Sequence, residues 1–249
     1  MPKQVLKHIR CGEGDVAPYV IIPGDPGRVK RIVEQMDSAE FIAENREYVV
    51  YTGTHQGAPI TVCSSGIGGP AASIAFEELI KLGAKVFIRV GSAGGRQPAT
   101  PIGTPIVITA TYRGEGTSKA YLPPEFPAAA DLDVINALVG ALKSQEEYYQ
   151  VGLGFTRDAY YVQDRTLNEL LTASGVKAAE QEAAMLFIIG AVKNVRTGAV
   201  VATDSNIWLD PQPTLEEKDT LFSVGETKAI RAALEATVAL YREGAHDFS

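Results

Sequence analysis

The sequence predicts an α/β fold, a three-layer αβα sandwich around a central mixed β-sheet. Two observations point to it. Short β-rich apolar runs alternate with stretches of helical period along most of the chain, the pattern of strands covered by helices. The chain has 249 residues, 45% of them hydrophobic, and shows no linker, repeat or low-complexity tract, so residues 1–249 are expected to form one domain around one large core.

In chain order, Tyr19-Val20-Ile21-Ile22 predicts a short buried strand, and GDPGR turns from it into an amphipathic helix over Val29 to Met36. NREYVVYTGTHQGAPITVCSSG alternates apolar and polar residues about His55-Gln56-Gly57, which predicts a hairpin. GIGGPAASIAFEELIKLG predicts a helix from Pro70 to Leu82, with proline in its first turn and Gly83 at its end. Val86 to Val90 predicts a buried strand running into a loop of small residues, and Pro105 to Ala110 a further strand. YRGEGTSKAYLPPEFPAAAD is too long and too rich in Gly and Pro for a simple connection, and loops of that length are often functional. Asp131 is the expected N-cap of a helix reaching Lys143. Val151 to Phe155 and Gly198 to Thr203 predict strands, with helices over Leu167 to Ala173 and Glu182 to Lys193 between them. Ile230, Leu234, Val238 and Tyr241 stand at helical spacing and predict a long C-terminal packing helix.

Charge and composition narrow the function. The net charge is −7, from 23 basic and 30 acidic residues, and no basic run occurs, so neither nucleic acid nor an anionic membrane surface is an evident partner. Any anion must be held locally by a few placed arginines. Cys11 and Cys63 are too few for a disulfide framework or a cysteine zinc site, and a reducing compartment is the simpler assumption. The N-terminal MPKQVLKHIRCGEGD lacks a signal-peptide core and no run of 18 apolar residues follows, which places the protein in the cytoplasm by default. His8, His55 and His246 are too scattered to propose a metal cluster, and neither H-E-x-x-H nor G-x-S-x-G occurs.

Arg89 ends a buried strand, where an unpaired charge is costly, so it requires an anionic partner. Gly91, Ser92, Gly94 and Gly95 would let backbone N–H groups approach that anion; a carboxylate partner inside the protein satisfies the same requirement. GIGGPA at Gly66 to Ala71 matches the loose dinucleotide fingerprint, yet the next strand ends in Arg89 where that motif wants an acidic residue, which argues against a nicotinamide or flavin cofactor. Arg28, Arg46 and Arg89 each stand beside a strand end or turn. Singly each reads as a structural ion pair; together with two glycine turns they suit phosphate, whose oxygens match the planar guanidinium. Glu180-Gln181-Glu182 leads into a helix, where carboxylates suit either the helix dipole or sugar hydroxyls.

GDPGR, NREY, GIGGP with its EEL helix, RVGSAGG, EFPAAAD and a Glu-x-Glu turning into a helix, in that order, resemble the nucleoside phosphorylase family of the purine/uridine type. REYVVYTG, GIGGPAASIAFEEL, EGTSKAYLPPEFPAAADLDVINALV and Gln163-Asp164-Arg165 look most like the members that act on uridine. The resemblance implies a three-layer subunit assembled as dimers, usually combined into hexamers, with each active site at a dimer interface. It implies phosphate held by Gly24, Arg28, Arg89 and Ser92, with Arg46 reaching in from the neighbouring subunit. Ribose would be bound by Glu182 with Gln181 beside it and by the neighbour's His8, which without the resemblance reads as an exposed histidine. Gln163 and Arg165 would read uracil, with Tyr160 stacking nearby.

Three departures stand out. Gln181 replaces the methionine usual between the two glutamates, the tract after Arg165 is short, and ATDSN resembles the stretch in which purine-specific relatives carry the aspartate that protonates the base, here Asp204. The expected reaction is reversible phosphorolysis of uridine, in which Arg89, Glu182 and Arg165 carry the chemistry. The alternative is purine nucleoside phosphorolysis with Asp204 as general acid. Inorganic phosphate is the co-substrate in either case, no organic cofactor or catalytic metal is expected, and a structural monovalent cation at the dimer interface is left open.

Overall fold

The structure, a computed structural model, describes residues 4–146 and 148–244. His246 and the first three residues of the N-terminal stretch lie outside them.

The first strand, β1 (Tyr19–Pro23), is wholly buried and leads into helix α1 (Pro26–Val33). Asp25 caps that helix by accepting the N–H of Gly27, and Pro26 supplies a preset first turn. The hairpin expected around Gln56-Gly57 is β3 (Tyr48–His55) and β4 (Ala58–Cys63), preceded by β2 (Ser38–Asn45). The sequence reading missed β2 because only Ala43 of its eight residues is buried; this edge strand exists through its pairing with β3. Helix α2 (Gly69–Lys81) and strand β5 (Val86–Gly95) follow.

Here an expectation is corrected. The small residues after Val90 are not a loop, because β10 (Arg196–Asn206) pairs in parallel with β5 to its last residue and β9 (Ala178–Glu180) pairs with Gly94 and Gly95 from the other side. Both backbone edges are thus engaged at Gly94 and Gly95, whereas Gly91, Ser92 and Ala93 pair with β10 alone, since β1 stops at Val90 and β9 starts at Gly94.

The long polar tract extends β6 (Pro105–Gly114), then forms a 3-10 turn over Thr117–Ala120 and a two-residue strand, β7 (Ala128–Ala129). Asp131 caps α3 (Leu132–Ser144) through the N–H groups of Asp133 and Val134, as its side chain predicts. After β8 (Gln150–Arg157) come α4 (Arg165–Ala173), α5 (Ala183–Lys193) and α6 (Leu215–Arg242). The last helix starts earlier than its apolar spacing suggests, at a capping box formed by Thr214 and Glu217.

Among the described residues ten strands form one mixed sheet. β5, β10, β6, β8 and β9 close into a ring, and β1, β4, β3 and β2 extend from β5 as an open wing. Helices α2 and α5 bury their apolar faces on one side of the sheet, and α1, α3 and α6 on the other, which gives the three layers expected. The β1 and β10 neighbours of β5 run parallel to it, so their C-terminal ends open on one crevice.

Candidate active site

The ends of β1, β5 and β10, the GIGGP turn and the junction of β9 with α5 converge on a cavity of about 1100 Å³. Arg89 is its most buried cation at the β1 end. Its Nε donates to Glu180 Oε2 at 3.1 Å and its Nη2 lies 2.5 Å from Glu182 Oε2, while Nη1 is buried with no hydrogen-bond partner among the described residues. Burial alone would lower its pKa; the charges of Glu182 and Glu180 outweigh this and raise it, so the group is a fixed cation. A Cβ on Gly24 would stand 3.9 Å from Nη1 and 3.2 Å from the carbonyl of Gly66, so the unpartnered nitrogen lies beside the backbone of the GDPGR turn. A buried guanidinium with one donor left over is suited to an anion.

Arg28 enters from the first turn of α1. Its Nε donates to Glu226 Oε1 at 2.5 Å and its Nη1 to the carbonyl of Val90 at 3.2 Å, which fixes it against β5. Glu226, on α6, also accepts from Arg31 Nε at 2.7 Å. Ser92 lines the same wall, so four of the five residues expected to hold phosphate are together: Gly24, Arg28, Arg89 and Ser92. Arg46 does not line the cavity. It sits exposed, at φ +56°, in the tight turn between β2 and β3, and its neighbour Asn45 donates to the carbonyl of His8 at 2.6 Å. His8 in turn is fixed outside the cavity by Glu78, at 2.7 Å from its Nδ1. The two residues expected to serve a neighbouring subunit therefore lie side by side on one surface.

The Glu-x-Glu pair divides its labour. Glu180 accepts from Arg89 Nε and from the N–H groups of Glu182 and Ala183 at 2.8 Å, while its other oxygen accepts from Thr156 Oγ1 at 2.5 Å. It orients Arg89 and closes the start of α5. Glu182 accepts the N–H of Gly68 at 2.6 Å and keeps its other oxygen on Arg89. Burial pushes its pKa up, the charge of Arg89 opposes this and that of Glu180 adds to it; the outcome is a carboxyl above its ordinary range. The GIGGP turn, with Gly66 and Gly68 at positive φ, thus presents an N–H to a carboxylate.

Tyr160, Gln163, Gln181 and Asp204 also line the cavity. Gln181 Nε2 donates to the carbonyl of Asp158 at 2.8 Å, and Asp204 Oδ1 accepts from Ser205 Oγ at 2.7 Å. Arg165 is not brought to them. It is the first residue of α4, capped by Asp164, and its side chain is 88% exposed and paired with Glu169 at 2.8 Å, one turn along the helix. The base contact expected of it is not formed by this arrangement. Two other arginines line the cavity instead and were not singled out from the sequence. Arg157 donates to the carbonyls of Val162 and Tyr160, stapling the segment that carries Gln163. Arg96 is 1% exposed, and burial together with the charge of Arg157 brings its pKa down to about 10, against the pull of Asp204.

Residues 18–239 match the Phosphorylase superfamily model. The chain belongs to this family. It is similar to the guanosine phosphorylase of Halorubrum lacusprofundi, 38% identical over 94% of this chain and 98% of the relative. It is similar also to the uridine phosphorylase of Thermococcus kodakarensis, 40% identical over 90% of this chain and 86% of the relative. The crystal structure of uridine phosphorylase from Vibrio fischeri ES114 superposes with a TM-score of 0.88 at 36% identity, covering 93% of this chain and 96% of that one. Among the described residues of this phosphorylase superfamily member, no helix is long and apolar enough to cross a membrane, and no group of three His, Cys, Asp or Glu side chains is placed to hold a metal ion.

Proposed function

We propose that this chain is a pentosyltransferase that cleaves uridine with inorganic phosphate to uracil and ribose 1-phosphate, reversibly. The observation that carries the reading is the unpartnered Nη1 of Arg89, buried at one end of the cavity beside Gly24, Arg28 and Ser92. Phosphate on Arg89 lies next to Glu182, whose carboxylate suits the 2′ and 3′ hydroxyls of a ribose. Breaking the C1′–N1 bond sends its electron pair to the base and leaves positive charge on the sugar. The phosphate stabilises that charge, an oxygen of it bonds to C1′, and its proton ends on uracil N1. The protein's fixed dipoles and charges contribute most where this charge separation develops. Gln163 and Tyr160 face the base; a contact from Arg165 requires its pair with Glu169 to open.

His8 and Arg46 complete the site of a second subunit in this reading, so the dimer is the smallest active unit, with hexamers built from dimers. No organic cofactor or catalytic metal takes part, and the enzyme serves pyrimidine salvage in the cytoplasm. A second reading has a specific basis: Asp204 lines the cavity and Arg165 does not, which suits a purine nucleoside with Asp204 as general acid. The test is release of free base from uridine, thymidine, inosine, adenosine and methylthioadenosine, each with and without phosphate. Uracil is expected from uridine only when phosphate is present, together with ribose 1-phosphate. Base release that ignores phosphate contradicts the proposal.

A further inference from the structure

We propose that Arg96 is the group that reads the base, restricting this enzyme to nucleosides whose base carries a carbonyl oxygen where cytosine and adenine carry an amino group. The inference rests on the phosphorolysis reading and holds for uracil and for a 6-oxopurine alike.

The first ground is the state of the guanidinium. The other arginines buried with it have their charge or donors satisfied: Arg28 by Glu226, Arg89 by Glu180 and Glu182, and Arg113 by Ser118 and the carbonyls of Leu122, Pro123 and Phe126. Arg96 has no such complement. Its Nη1 donates to the carbonyls of Gly94 and Gly95, and among the described residues its buried Nε has no partner and no carboxylate lies within ion-pair distance. A buried cation left in that state calls for an acceptor from outside the chain, preferably one that becomes negative.

The second ground is position. Arg89 folds back over Gly91, where a Cβ would stand 2.7 Å from Nη2, and Arg96 folds back over Gly94, where a Cβ would stand 2.8 Å from Nη1. Both arginines line the one cavity although the odd spacing turns Gly91 and Gly94 to opposite faces of β5, and the two positions are about 10 Å apart along it at a rise of ~3.3 Å per residue. That is the reach from a phosphate at the anomeric carbon, across the glycosidic bond, to the far edge of the base. Ser205 Oγ lies 3.2 Å from the same Gly94 position and donates to Asp204, so the polar groups of the β10 end gather there too. The backbone of Arg96 is pinned: its N–H donates to the carbonyl of Lys177, and its own carbonyl accepts from Thr172 Oγ1 and Trp208 Nε1.

The third ground is chemistry. A guanidinium donates and never accepts, so a base amino group would face it donor to donor, leaving both unsatisfied away from water. A carbonyl oxygen accepts, and as the glycosidic bond breaks, the electron pair leaving with the base delocalises onto that oxygen. The contact therefore strengthens in the transition state, where it lowers the barrier.

The experiment compares wild type, Arg96→Met and Arg96→Gln on uridine, cytidine, inosine and adenosine at saturating phosphate. Wild type is expected to favour the oxo nucleoside of each pair by ~10³-fold or more, as a site built around one polar contact rejects the analogue lacking it. Arg96→Met should lose ~10²- to 10³-fold in kcat/KM on its oxo nucleoside with the KM for phosphate unchanged. Arg96→Gln, whose amide both donates and accepts, should narrow the oxo-to-amino ratio at least tenfold even if the methionine variant folds poorly. A wild-type enzyme active with phosphate whose variants keep both the oxo activity and the ratio overturns the role of Arg96 alone. A wild-type enzyme that cleaves none of the four with phosphate overturns the phosphorolysis reading, and the role of Arg96 with it.

Discussion

Arg89 Nη2 lies 2.5 Å from Glu182 Oε2, and in the phosphorolysis reading this pair joins the end of the cavity proposed for phosphate to that proposed for the sugar. Replacing Arg89 by Ala removes the anion contact and also the counter-charge of two buried carboxylates, Glu180 and Glu182. Turnover should fall by ~10²-fold or more with a raised KM for phosphate, and stability by about 3–5 kcal/mol, the usual cost of breaking a buried pair. Glu182→Gln keeps the shape and should lower kcat with little change in the KM for phosphate. Steady-state kinetics at varied phosphate and urea unfolding separate the two effects.

Glu78 gives a prediction about pH. Burial would raise its pKa, but the N–H groups of Ile9 and His8 and the His8 ring outweigh burial and hold it below 4.5. A carboxyl lowered on folding contributes stability above its unfolded value, so the contribution is complete above about pH 4.5 and is lost as pH falls from there through the lower folded value. Glu78→Gln should therefore be less stable than wild type at pH 7, with the gap closing towards pH 3. Denaturant midpoints measured across that range check it; a gap independent of pH would mean that Glu78 acts through packing alone.

The shared surface of His8 and Arg46 predicts complementation between subunits. Arg46→Ala and Glu182→Ala homo-oligomers should each be nearly inactive. Mixed oligomers formed by unfolding and refolding the two together should regain activity, because one site of a mixed dimer keeps both groups. Mixed oligomers without activity would show that each site is built from one chain.

Asp204 and Gln163 separate the two base preferences. With uridine as substrate, Asp204→Asn should change turnover less than about threefold, whereas Gln163→Ala should lower it by ~10- to 10³-fold, about 1.4 kcal/mol for each factor of ten. With a purine-directed enzyme the order reverses: Asp204→Asn removes most inosine cleavage and Gln163→Ala matters little.

How far the sequence reaches depends on whether a residue's role is local. The cap at Asp131, the GDPGR turn and the buried Val86–Val90 run follow from neighbouring residues, and each stands where its local chemistry puts it. Arg28 and Arg89 were legible as strand-end arginines beside glycine turns, whereas the grouping with Gly24 and Ser92 came from the family resemblance. Strands β2 and β9 were not, since one is exposed and the other three residues long, and both depend on a partner strand. Glu226 reads as one more charge on a helix until α6 packs on β5 and sets it against Arg28 and Arg31. Arg96 was hidden for a similar reason. After two glycines and before Gln97-Pro98 it has the look of a solvated turn residue, and only the closing of β9 and β10 around β5 buries it. Arg165 is the opposite case: its motif is legible, but the side chain follows the helix to Glu169.

The most direct measurement is a crystal structure with uridine and sulfate, the sulfate standing in for phosphate without allowing turnover. The account predicts the anion on Arg89 Nη1 with Gly24, Arg28 and Ser92, the ribose hydroxyls on Glu182, and a base carbonyl oxygen on Arg96. An anion bound away from Arg89, or a sugar that does not touch Glu182, would contradict it.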